Sequence, residues 1–214
     1  MWGGYSKIRH ALIGLAPYSL HNDLSKSTNL NFLMVHYLIA FNDLHNFHIP
    51  IDEYRKFFRA EYLASRLPLE PFDLNNPYYM KVPLSFMTRQ TRLKSLKIRD
   101  GGGGKDFPET RNENIKILDE YLTFCERNNI RPIMFLPPMP EGYMKTYSKY
   151  RIDELRHFVM LACRKHPSAI FIDGWRLQGF NDRDFLDYGH MNIQGAAKFS
   201  AFLNSIIEQL DAGQ

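Results

Sequence analysis

Cysteine is scarce. Cys125 and Cys163 are the two cysteines in 214 residues. Two thiols cannot build the disulfide framework of a small secreted scaffold, and they leave the redox compartment open. Long apolar runs are also lacking. The longest, FLMVHYLIAF (32–41), is interrupted by His36, and HALIGLA (10–16) is shorter still. A spanning helix needs about 20 apolar residues, so no transmembrane segment is expected. The opening stretch MWGGYSKIRHALIGLA does not read as an export signal. Neither sign of charge dominates. Lys and Arg total 27 against 23 Asp and Glu, for a net charge of +4. That balance permits contact with anionic partners without demanding it. A phosphate-cradling loop is missing too. Gly101–Gly104 are followed by Lys105 and Asp106, where such a loop ends in Lys-Ser or Lys-Thr.

What remains is a chain with 44% hydrophobic residues and 14% aromatics. That composition supports a folded core rather than wholesale disorder. The length suits one α/β domain over 1–214 with an irregular insertion at about 61–108. The prolines at 68, 71, 77 and 83 and the glycines at 101–104 mark that insertion. HALIG and its neighbours (about 9–15) read as a short strand stopped before Pro17. Helical spacing follows at about 28–44 and again after Asp52, a candidate N-cap. The second half is more regular. PETRNENIKILDEYLTFCERNN predicts an amphipathic helix with Ile115, Leu118, Leu122 and Cys125 on one face. IRPIMFLPP (130–138) predicts a buried strand, and RIDELRHFVMLACRKHP a second helix. AIFIDGW (169–175) predicts another strand. A final helix is expected behind Asn192 as N-cap. Strands and helices alternating at this spacing imply β-α-β crossovers, with a parallel sheet covered on both faces. Ligands of such sheets sit beyond the carboxyl ends of the strands. The loops after 15, 138 and 174 therefore face the expected site.

Asp187 and His190 fall in that region, between the last strand and the last helix, in DFLDYGHMNIQGAAKF (184–199). A carboxylate bonded to one imidazole nitrogen fixes the tautomer, and the other nitrogen can then take a proton from a serine hydroxyl. An isolated Asp-x-x-His is more simply a capped turn with a surface histidine. Other candidates carry less. Asp43, His45 and His48 in NDLHNFH supply no converging fourth ligand, so the run reads as a polar helix end and no metal is expected. His21 is a candidate pocket-lining residue. Tyr143 and Tyr147 suit either stacking on a sugar ring or ordinary packing. The basic run from Arg89 to Arg99 suits contact with a polyanion, although a solvated loop is the simpler reading.

FLDYGHMNIQGAAKFSAFLN resembles the last conserved block of the SGNH (GDSL-like) hydrolases. That block is an Asp-x-x-His pair, a small polar turn and a helix opening with Gly-Ala. ENIKILDEYLTFCERNNIRPIMFLPPMP is similar to the family's preceding helix, strand and Pro-Pro stretch, and FIDGW to its late strand. HALIGLAPYSLHNDLSKS resembles a DltD-like bacterial branch related to cell-surface polysaccharide acylation. The resemblance covers about 110–205 well and 8–60 loosely. It implies a three-layer, flavodoxin-like sheet, either complete in this chain or lacking its N-terminal strand. It also implies a serine esterase or O-acyltransferase using His190 as general base and Asp187 as its orienter, with no cofactor. The substrate would be an acylated carbohydrate, another surface polymer or a small ester. Work outside the cytoplasmic membrane would follow. The oligomeric state stays open. The chain departs from the family in lacking a Gly-Asp-Ser turn. Ser19 can stand in as nucleophile by placement, with Asn22 as an oxyanion donor. Alternatively, HALIG corresponds to an internal strand of the family, and the serine-bearing strand would precede Met1. A third reading is a binding or accessory module of a polysaccharide assembly system that keeps the scaffold without the nucleophile.

Overall fold

A computed structural model of the chain describes residues 8–23 and 107–213. The expected helices between 28 and 66, the metal-ligand candidates 43–48, the basic run 89–99 and nearly all of the 61–108 insertion lie outside the described residues.

The described residues form an α/β arrangement around a parallel three-stranded sheet, ordered β1 (His10–Gly14), β2 (Arg131–Leu136) and β3 (Ile170–Asp173). In the register, Leu12 pairs with Ile133, and Ile133 with Ile170. β2 is the middle strand. Its run Pro-Ile-Met is fully buried, as a strand flanked on both sides and covered on both faces requires. The helices are α1 (Arg111–Arg127), α2 (Glu141–Met144), α3 (Lys149–Lys165) and α4 (Ile193–Ala212).

Alternation along β2 divides the packing between two faces. Met134 and Leu136 join Leu122 of α1 and Leu155 and Val159 of α3 in one buried cluster. Phe135 points the other way, and its ring meets Phe199 of α4 edge-on at 5.4 Å. Helices thus cover both faces, as the alternating pattern predicts. The predicted α1 stripe is also present: Leu122 and Cys125 are buried, with Ile115 and Leu118 packed against the same cluster.

Element ends follow local chemistry. Ser148 caps α3 by accepting the Arg151 N–H, and Asn192 caps α4 by accepting those of Gln194 and Gly195. The predicted strand at 169–175 is shorter than its apolar run, because it turns into a 3-10 helix at Gly174–Arg176. A side chain at Gly174 would sit on the Leu136 carbonyl oxygen, so only glycine lets this turn press against the end of β2. α2 was not expected from the sequence. Among the described residues no helix is long and apolar enough to cross a membrane.

Candidate active site

The turn carrying Asp187 and His190 is built from below. A 3-10 helix at Asp182–Asp184 is closed by a reciprocal capping box between Asn181 and Asp184. Phe185 then pairs with Met191 in an antiparallel bridge, and the Leu186 N–H donates to the His190 carbonyl at 2.9 Å. Asn192 anchors the far side. Its side-chain amide donates to the Arg183 carbonyl at 2.6 Å, and its backbone N–H to that of Asp184 at 3.0 Å. Phe185 and Tyr188 are buried against Tyr143, Phe180 and Met191. The loop is therefore held by packing and by its backbone, and its exposed tip is a compact turn.

At that tip both oxygens of Asp187 lie 2.9 Å from Nδ1 of His190. A carboxylate only accepts, so Nδ1 carries the proton. One Asp187 oxygen also accepts the Gly189 N–H at 2.7 Å, which fixes the carboxylate plane. Nε2 makes no hydrogen bond among the described residues, and the histidine side chain is 67% exposed. Such an exposed pair contributes about 0–1 kcal/mol, too little to be a structural staple. What the arrangement does achieve is one oriented imidazole presenting a free nitrogen to solvent.

The structure places Ser19 elsewhere on the same edge. It lies in the turn after β1, which β2 separates from β3. The Ser19 hydroxyl accepts the Ala16 N–H at 2.9 Å, and the Ser19 N–H returns a bond to the Ala16 carbonyl. No hydrogen bond joins Ser19 to His190. Asn22 holds its side-chain oxygen buried without a hydrogen-bond partner, while its carbonyl accepts from Asn114 at 3.0 Å.

His21 forms a second carboxylate–histidine pair that sequence reasoning did not foresee. It is buried and lies 2.7 Å from Glu154 of α3, which also receives Arg111 of α1 at 2.7 Å. Burial works against the charge on Glu154, but hydrogen bonds from His21 and Arg111 outweigh it and hold the carboxyl below its ordinary range. Here the geometry is that of a buried cross-link between the β1 turn and two helices. Its partners lie 133 residues apart, a separation at which no local pattern signals the contact.

A cavity of about 320 Å³ opens beyond the carboxyl ends of β2 and β3. Met144, Trp175 and Phe180 line it together with Glu141, Asn181 and Asp182. Tyr143 and Tyr147 stand behind it, their rings 5.2 Å apart and their hydroxyls 2.7 Å apart. Tyr147 packs on Trp175 at 5.9 Å, so packing is what this tyrosine does. Burial and the neighbouring Tyr143 push the Tyr147 phenol far above its ordinary value, which keeps it neutral. Among the described residues no group of three or more His, Cys, Asp or Glu converges to hold a metal ion.

No protein-family model, curated protein or solved structure matches the chain.

Proposed function

We propose that the chain is a serine esterase or O-acyltransferase of the SGNH type, with a flavodoxin-like sheet, acting on an acylated carbohydrate or related surface polymer. The observation that carries this reading is the Asp187–His190 pair: Nδ1 held at 2.9 Å by both carboxylate oxygens, Nε2 turned to solvent. In the proposed reaction Nε2 takes the proton of a serine hydroxyl as its oxygen attacks the ester carbonyl. The imidazolium, stabilised by Asp187, then returns that proton to the departing alcohol, leaving an acyl-serine. Water or a second hydroxyl, deprotonated by the same Nε2, releases the acyl group. Water makes the protein an esterase and a second hydroxyl makes it a transferase.

One observation favours a different reading, a binding or accessory module on the same scaffold. The Ser19 hydroxyl is engaged within its own turn, and no serine hydroxyl among the described residues bonds to His190.

Fluorophosphonate labelling of the folded chain, with the modified residue mapped by mass spectrometry, separates the two. The esterase reading expects one labelled serine, and His190→Ala abolishes the label while the circular dichroism stays unchanged. A label on Ser19 assigns the nucleophile. A folded chain that takes no label sinks the esterase reading and leaves the binding module.

A further inference from the structure

We infer that the cavity beyond β2 and β3 is a binding subsite for one neutral sugar ring. Three observations point there. The first is size. At about 320 Å³ it lies at the low end of small-molecule pockets, roughly 300–1,000 Å³, so it suits a single ring rather than a polymer segment. The second is wall chemistry. Trp175 and Phe180 supply aromatic surface for the apolar C–H faces of a ring, and Glu141, Asn181 and Asp182 supply acceptors and an amide for hydroxyls. Two carboxylates, Asp182 and the Lys145-paired Glu141, disfavour a phosphate or a carboxylate ligand.

The third observation is rigidity. Tyr147 packs on Trp175, and Gly174 lets its turn close on β2. Phe180 has the Lys198 ammonium 4.6 Å from its ring centre and the Phe199 ring at 6.2 Å. That lysine also bonds to the Gly179 carbonyl and, at 3.2 Å, to Asp184. Walls fixed in this way lose little freedom when a ligand arrives. Phe180 also packs in the cluster that carries Phe185 and Tyr188, on either side of Asp187. A ring held there is anchored to the same loop as His190. The inference rests on the esterase reading for this last step only; binding needs no nucleophile.

The test uses Trp2→Phe in the full chain, which leaves Trp175 as the one tryptophan of two. Its fluorescence is titrated with the methyl glycosides of glucose, galactose, mannose and N-acetylglucosamine, and separately with octanoate and inorganic phosphate. A saturable change is expected with at least one glycoside. It weakens about fivefold to tenfold in Phe180→Ala, the scale of one lost aromatic contact. Asp182→Ala, at an exposed rim position, weakens binding without threatening the fold. His190→Ala leaves the affinity unchanged, so a failed sugar site and a failed dyad give different results. The inference is overturned if no glycoside saturates by about 100 mM, if octanoate or phosphate saturates instead, or if Phe180→Ala and Asp182→Ala both bind as before.

Discussion

Asn192 does two jobs with one side chain. Its oxygen accepts two N–H groups at the start of α4, and its amide donates to the Arg183 carbonyl beneath the His190 turn. It is 2% exposed, so water cannot replace it. Asn192→Ala should therefore cost more than an ordinary cap, about 1–3 kcal/mol. Urea unfolding measures this. Asn192→Asp, which keeps the acceptor and loses the donor, should recover part of it. Equal losses in the two variants would mean that the Arg183 bond matters and the cap does not. Gly195 beside it is fixed by contact, since a side chain there would sit on the Asp184 carbonyl oxygen. Much of this was legible in the sequence. An asparagine ahead of an apolar-periodic run announces a cap, and Asp187 and His190 stand close enough for one turn to join them. The His21–Glu154 link was illegible for the converse reason: nothing local demands it.

At the scale of elements, periodicity foretold α1, α3 and α4, because each buries one stripe against the sheet. It missed α2, whose four residues follow Pro137, Pro138 and Pro140 and are too few to show a period. It also missed what clasps α1 to α3. His166, at the end of α3, is buried with both ring nitrogens 2.9 Å from carboxylates of α1, Asp119 and Glu126. Both nitrogens face groups that only accept, so this geometry requires the imidazolium. Burial pulls the His166 pKa down, but the hydrogen bonds to Asp119 and Glu126 outweigh it and raise it above its ordinary 6.5. Asp119 moves the other way, held below its ordinary 3.8 by hydrogen bonds from Lys165 and His166. The signs then follow by linkage. The raised histidine stabilises fully below 6.5, and its contribution is lost as pH rises through the folded value. The lowered carboxylate stabilises above 3.8, and its contribution is lost as pH falls through its own folded value. The clasp is therefore strongest between those limits. Thermal unfolding of the wild type and His166→Gln should differ most near about pH 5 and converge toward about pH 9. A difference that stays constant with pH would show that the imidazole is neutral and serves only as packing.

Across the whole molecule the two ends of the sheet carry different burdens. At the carboxyl end lie the His190 turn and the aromatic-lined cavity, both standing on packed supports but themselves open to solvent. At the amino end, Arg9 and His10 at the start of β1 meet Asp211 at the end of α4, at 3.0 and 2.8 Å. This contact spans 201 residues and ties the first described strand to the last helix. A tie between remote segments stabilises, whereas an exposed pair within one turn does not, and substitutions should sort accordingly. Asp211→Ala removes both bonds and should cost about 1 kcal/mol, since Arg9 is exposed but His10 is mostly buried. For a chain of this size that lowers Tm by about 2–4 °C. Fluorophosphonate labelling and glycoside binding should be unchanged in that variant. His190→Ala should do the reverse, leaving stability within about 0.5 kcal/mol while removing the label. Calorimetry and labelling of the two variants side by side give a crossed result if chemistry and stability are divided between the ends. If Asp211→Ala lost the label at unchanged Tm, the amino end would belong to the working site, and the carboxyl-end assignment would fall.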